Sequence, residues 1–154
     1  MIAFPMTLFA QKFAVINTQG LVESLPEYKE AQEKLETVAK QYQETFDKLR
    51  EEFGKKFEEF QALDANTTET IKELRTKELQ ELDTKMQQFQ QTAAQDIQRQ
   101  QQQLLAPIQE KVLKAVQSVG SEGGYTFVFE DGVPLYVGAD VTDITESVKA
   151  RLAK

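Results

Sequence analysis

The sequence predicts an α+β protein in which a small β-rich body carries a long, projecting antiparallel helical hairpin. Two long runs of apolar residues at helical spacing lie on either side of a short polar turn, and short β-rich runs flank them. We place the body at residues 11–35 and 105–154 and the coiled-coil hairpin arm at residues 36–104.

The chain begins with the apolar run "MIAFPMTLFA" (residues 1–10). This run is similar to the last part of a secretory signal peptide, with cleavage expected after Ala10, although it lacks a positively charged start. We interpret it as a signal-peptide remnant, and an ordinary apolar extension is the alternative.

The first elements of the body follow at Lys12. The run "KFAVIN" has the length and composition of a strand, and a turn of helix is expected around Leu21 and Val22. Ser24 and Glu27 then have capping-box spacing, which predicts the start of a long helix.

The apolar residues of this first long helix have a mean spacing of about 3.5, the period of a coiled coil. Proline does not interrupt the run after its first turn. The apolar positions are Tyr28, Ala31, Leu35, Val38, Tyr42, Phe46, Leu49, Phe53, Phe57, Phe60 and Leu63.

A second long helix follows the polar turn "LDANTTE", where Asn66 and Glu69 offer another capping box. Because a short turn joins two helices of similar length, they are expected to fold back on one another. Each arm of about 40 residues would reach roughly 60 Å. Gly120 is the expected end of the second helix.

The C-terminal part predicts two strands and a helix. "YTFVFEDGVPLYVG" indicates two strands around an Asp131–Gly132 turn, with Pro134 on an edge strand. In the tail, Asp143 and Glu146 have capping-box spacing before a short amphipathic helix.

Composition excludes several kinds of chemistry. The chain has no Cys and no His, so thiol nucleophiles, Cys/His zinc sites and histidine-based triads are excluded. The net charge of −7 speaks against nucleic acid as a partner, and no run is long enough to insert stably in a membrane. "GSEGGY" lacks the Lys of a phosphate-binding loop. We therefore expect no catalytic residue, no metal site and no cofactor.

Aromatic and apolar residues of the arm are the candidate binding residues. They could simply fill the seam between the two helices, yet a two-helix seam leaves part of each large ring open. The open parts could form a loose apolar lining for an unfolded chain. The candidates are Tyr42, Phe46, Phe53, Phe57, Phe60, Leu82, Met86 and Phe89.

Two features of the arm bear on its flexibility and surface. Gly54 in the first helix is a candidate flex point, and Pro107 should kink the second helix near the body. Ten glutamines between Gln87 and Gln103 are interpreted as an uncharged, solvated helix surface, with a polar cavity wall as the alternative.

The predicted strands are apolar on both faces, and a body of about 60 residues is too small for a comfortable core of its own. One face can be covered by the chain's own helices, so the other is expected to meet another subunit. The candidate oligomerisation residues are Phe13, Val15, Phe127, Phe129, Leu135 and Val137.

Several segments resemble one family. "QKFAVINTQGLVESLPEYKEAQEKL", "LLAPIQEKV" and "DGVPLYVGADVTDITESVKARL" are similar to the Skp (OmpH) family of periplasmic chaperones. The resemblance implies a homotrimer whose helical tentacles enclose a cavity, where unfolded outer-membrane β-barrel proteins are held without ATP. Known members are strongly basic, whereas residues 47–80 have seven basic and nine acidic residues, so binding of lipopolysaccharide or anionic lipid is not carried over.

Two rival functions remain open at this point. A structural or adaptor coiled coil would have the same hairpin and no client, and replacing Phe46, Phe53 or Phe57 would then change stability alone. A cytosolic prefoldin-like chaperone shares the helical hairpin, although a strand at the start of the chain speaks against it.

Overall fold

The fold was analysed in a computed structural model, which describes residues 11–153. The predicted signal-peptide remnant lies outside these residues. The elements in chain order are β1 (Phe13–Ile16), α1 (Thr18–Ser24), α2 (Pro26–Gln61), α3 (Glu69–Glu122), β2 (Phe127–Glu130), β3 (Thr142–Asp143) and α4 (Thr145–Leu152). The predicted combination of long helices with a small sheet is confirmed.

The described residues form two compact units. Residues 11–29 and 105–153 make up the first, called the body unit below. Glu30–Leu104 makes up the second, called the helix-pair unit. Each contains parts of both α2 and α3.

The body unit is built on a three-stranded parallel sheet in the order β2-β1-β3. Because side chains alternate along a strand, its two faces differ. Ala14 and Ile16 point into the core, which also contains Leu21, Ala115, Ile144 and Val148. Phe13 pairs with Phe127 and Val15 with Phe129 on the other face.

Polar side chains fasten α1 and α4 to the sheet at the carboxyl ends of the strands. The Glu130 carboxylate accepts hydrogen bonds from the Thr18 N–H at 2.9 Å and hydroxyl at 2.7 Å. Asn17 Oδ1 accepts from the Gly20 N–H, and the Asn17 N–H donates to Thr145 Oγ1. These bonds satisfy helix-start groups that would otherwise lack a partner.

Both predicted capping boxes of the long helices are wrong. The Ser24 hydroxyl donates to the Leu21 carbonyl inside α1, and the Leu25 carbonyl accepts the first bonds of α2. At the second helix, the Asn66 N–H is bound by Asp64, and the Thr68 carbonyl accepts the first bonds of α3. In both cases the helix therefore begins one or two residues later than the predicted cap implies.

The second helix also ends later than predicted. It continues through Gly120 to Glu122, and the left-handed residue that stops it is Gly124, with φ of +66°. The Tyr125 N–H donates to the Gly120 carbonyl and the Gly124 N–H to the Ser121 carbonyl, which is a Schellman motif.

The predicted second strand after the Asp131–Gly132 turn does not form. Gly132 does have the positive φ expected of a turn, at +81°. However, residues 133–141 are not in a strand, and the chain returns to the sheet only at β3. Leu135 and Val137 therefore lie in an irregular loop.

In the helix-pair unit, α2 and α3 contact one another in reverse order along the chain. Tyr42 contacts Phe89 and Asp96, and further along α2 Lys56 contacts Glu78. The most buried apolar residues of this unit are Ala31, Leu49, Leu82 and Ala93.

Candidate functional site

An apolar groove lies between α2 and α3 in the helix-pair unit. It has a volume of about 420 Å³. Three alanines and three aromatic residues make up most of its lining, and the alanines leave space that a larger side chain would fill. The lining residues are Ala39, Tyr42, Gln43, Phe46, Phe89, Gln90, Ala93, Ala94 and Ile97.

Tyr42 is fixed by both ends of its side chain. Its ring meets Phe89 edge to face, with 5.8 Å between ring centroids. Its hydroxyl donates to Asp96 Oδ2 at 2.7 Å, and Arg99 and Gln100 also donate to this carboxylate. The Asp96 side chain is only 13% exposed, so the bond from Tyr42 holds the two helices in one register.

A second aromatic feature lies further along α2. Phe53 and Phe57 stack with 6.2 Å between centroids and an interplanar angle of 8°. Phe57 is 42% exposed, whereas Phe53 is half-buried. The interpretation that the rings divide their area between the seam and solvent therefore agrees with their exposure.

The other candidate binding residues of the arm differ in exposure. Phe60 and Met86 are half-buried, but Leu82 is only 6% exposed and belongs to the seam. Ile71 and Leu74 are 45% and 54% exposed, more than any candidate. Both are apolar positions of the second long helix, and periodicity alone does not show how far a partner helix covers each position.

Charges in the helix-pair unit are partly paired across the helices. The unit has 16 acidic and 11 basic residues, a net charge of −5. Glu78 accepts from Arg75 on its own helix at 2.9 Å and from Lys56 on α2 at 3.4 Å. The bond from Arg75, more than that from Lys56, lowers the pKa of the Glu78 carboxyl.

The body unit has an exposed aromatic sheet face. The centroids of Phe13 and Phe127 are 6.1 Å apart, and those of Phe127 and Phe129 are 5.9 Å apart. Phe127 is 54% and Phe129 39% exposed, whereas Val15 on the central strand β1 is buried. Three adjacent rings on an uncovered sheet face are typical of an interface.

The loop after β2 adds further exposed apolar residues. Leu135 and Val137, which the sequence analysis assigned to an interface, are both exposed. Val133 and Tyr136 in the same loop are exposed as well and were not assigned. All four side chains lie in the loop that replaces the predicted strand.

Both candidate hinge residues lie within regular helix. A Cβ added at Gly54 would meet nothing within 4 Å, so no close contact requires a glycine there. Pro107 lies inside α3, which continues on both sides of it. Bending at either residue stays a prediction.

Within residues 11–153, the structure contains no group of three or more acidic, His or Cys side chains that could hold a metal ion. In the same residues no helix is long and apolar enough to cross a membrane.

Comparison with known proteins identifies the family. The model of the family "Outer membrane protein (OmpH-like)" matches residues 12–152. The chain therefore belongs to the OmpH-like family, and the resemblance seen in the sequence is confirmed.

A solved structure has the same fold. It is a candidate outer membrane chaperone (OmpH-like) from Caulobacter crescentus, with a TM-score of 0.79 and 16% sequence identity. The match covers 93% of this chain and 84% of that one. No sequence among the curated proteins matches this chain.

Proposed function

We propose that this protein is an ATP-independent periplasmic holdase, which binds unfolded outer-membrane β-barrel proteins and prevents their aggregation. Membership of the OmpH-like family supports a chaperone role. The observation that carries the proposal is the set of partly exposed apolar side chains on the helix-pair unit, with Phe57, Ile71 and Leu74 the most exposed.

These side chains suit a client without fixed structure. Apolar contact is non-directional, so rings and leucines can accept many different sequences. Each contact is small, and the surrounding charges keep the empty protein soluble. Useful affinity then requires several arms to engage one client at once.

Several arms are available if the protein is a homotrimer, as the family resemblance implies. The half-buried ring of Phe13 and the exposed rings of Phe127 and Phe129 are the proposed subunit interface, together with Leu135 and Val137. The trimer would bring together three helix pairs around one cavity, and a hairpin free to bend at Gly54 and Pro107 would adjust its size.

The test is aggregation of a urea-unfolded outer-membrane β-barrel protein on dilution, followed by turbidity. We expect the protein, without ATP, to suppress turbidity when trimer is in excess. Phe57→Ser should weaken suppression while the helical circular dichroism signal is retained. Unchanged turbidity at every excess of the wild-type protein would refute the proposal, and a structural coiled coil would then be favoured.

A further inference from the structure

The groove beside Tyr42 and two aromatic rings further along α2 lie on one face of that helix. Phe46 lines the groove, and Phe53 and Phe57 lie seven and eleven residues beyond it. Since an α-helix has 3.6 residues per turn, these separations are about two and three turns, and the three rings share a face. We refer to the groove and these rings together as the aromatic track.

We propose that the aromatic track binds an extended, uncharged client segment whose alternate side chains are apolar. From Phe46 to Phe57 the helix rises about 16 Å, which is the length of about five residues of extended chain. In such a segment alternate side chains point the same way, as in the strands of a β-barrel. The inference rests on the proposed function and specifies which part of the client is bound.

The charges around the track select this occupant. No lining residue of the groove is ionisable except Tyr42, whose hydroxyl is bound to Asp96. On α3, Asp96 is the one acidic or basic residue between Met86 and Gln98, and its carboxylate is already engaged by its neighbours. The glutamines of this stretch thus leave the α3 side of the groove without a free charge.

The charges beside the rings of α2 nearly balance. Between Phe46 and Phe57 this helix has three acidic and four basic residues. Lys56 and the α3 residue Arg75 are both paired with Glu78 on α3. The track is therefore close to neutral within a unit whose net charge is −5. In the groove, a charged client side chain would lose hydration without gaining an ion pair, whereas an apolar side chain does not have this cost.

The experiment uses the full-length protein and a tryptophan-bearing, urea-unfolded outer-membrane β-barrel protein as the probe. The chain has no Trp, so emission excited at tryptophan wavelengths reports the client alone. Ala94→Leu places a larger side chain in the groove at an exposed position. Gln95→Leu is the control, because it adds the same side chain to the neighbouring exposed position outside the groove.

We expect Ala94→Leu to weaken client binding by about fivefold, because the groove would no longer accommodate one aromatic side chain of the client. The blue shift of the client's tryptophan emission on binding should be smaller as well. Gln95→Leu should bind as the wild type does. Wild-type affinity should not fall between about 0.05 and 0.5 M salt, because screening weakens only charge-driven binding.

The outcomes separate the two proposals. If the wild type binds the client and Ala94→Leu binds equally well, or if salt abolishes binding, the aromatic track is not the binding surface, although the holdase function stands. If the wild type binds no client under any condition, both proposals are overturned.

Discussion

Tyr42 illustrates how one residue can serve both the helix pair and its surface. Its ring forms a wall of the groove, and its hydroxyl reaches Asp96 on the other helix. In the sequence Tyr42 is an apolar position of the repeat, but its polar partner lies 54 residues away and no local pattern indicates it.

The first prediction at this scale concerns that hydrogen bond. Tyr42→Phe leaves the ring in place and removes one donor from a carboxylate that is largely buried, so we expect the free energy of unfolding to fall by about 1 kcal/mol. Urea unfolding followed by circular dichroism measures this. Tyr136→Phe is the control, because Tyr136 is 85% exposed and should change little. Equal stability of Tyr42→Phe and wild type would show that the bond contributes nothing.

Asp143 supplies a prediction of pH dependence. The Thr145 hydroxyl and N–H both donate to its carboxylate and lower the pKa of Asp143. A lowered pKa in the folded state means that the carboxylate stabilises the fold above its unfolded pKa of about 3.9 and that this contribution is lost as the pH falls further.

Asp143→Asn tests this, because asparagine still accepts a hydrogen bond but does not titrate. We expect the variant to have a lower urea midpoint than the wild type at pH 7 and the two midpoints to approach each other near pH 3. A difference that is the same at both pH values would mean that the charge of Asp143 is not involved.

At the scale of elements, the sequence predicted the helices, which depend on neighbouring residues, but not the strand pairing, which depends on distant ones. The long helices follow from a local apolar repeat, so α2 and α3 were foreseen. The parallel pairing of Phe13 with Phe127 was not predicted, because it joins residues that are far apart in the chain. The strand expected around Leu135 does not form, although its local apolar pattern is suitable and β2 is an edge strand.

Exposure within α2 and α3 shows the same limit. Leu82 and Leu74 both fit the repeat, yet Leu82 is buried and Leu74 is not. The repeat shows which side of a helix is apolar, but the path of the opposite helix decides which of these residues it covers.

Gly54 gives a prediction for the α2 helix itself. Since an added methyl group would meet open space, Gly54→Ala should raise the free energy of unfolding by about 0.5 to 1 kcal/mol through the better helix propensity of alanine. Gly132→Ala should have the opposite effect, because Gly132 has a φ of +81°.

The flex-point hypothesis adds a second measurement on the same variant. The chain has no Cys, so spin labels can be attached at cysteines introduced on either side of position 54. If Gly54 lets the helix bend, Gly54→Ala should narrow the distribution of distances between the labels. A distribution of unchanged width would mean that the glycine has no role in bending.

At the scale of the whole molecule, the two exposed apolar surfaces are expected to have separate tasks. The aromatic sheet face of the body unit is the proposed subunit interface, and the aromatic track of the helix-pair unit is the proposed client surface. One set of residues should therefore control native mass, and the other should control capture of unfolded protein.

Matched aromatic substitutions test this division. Phe127→Asp places a charge among the rings of the sheet face, and its desolvation should shift the native mass from trimer to monomer. Phe57→Asp should leave a trimer whose suppression of β-barrel aggregation is weaker. Native mass spectrometry and turbidity measure the two effects, with helical circular dichroism confirming that both variants fold.

Because a single arm has only small apolar contacts, the monomeric Phe127→Asp variant should also lose suppression of aggregation at equal chain concentration. Full suppression by that monomer would show that enclosure by several arms is not required.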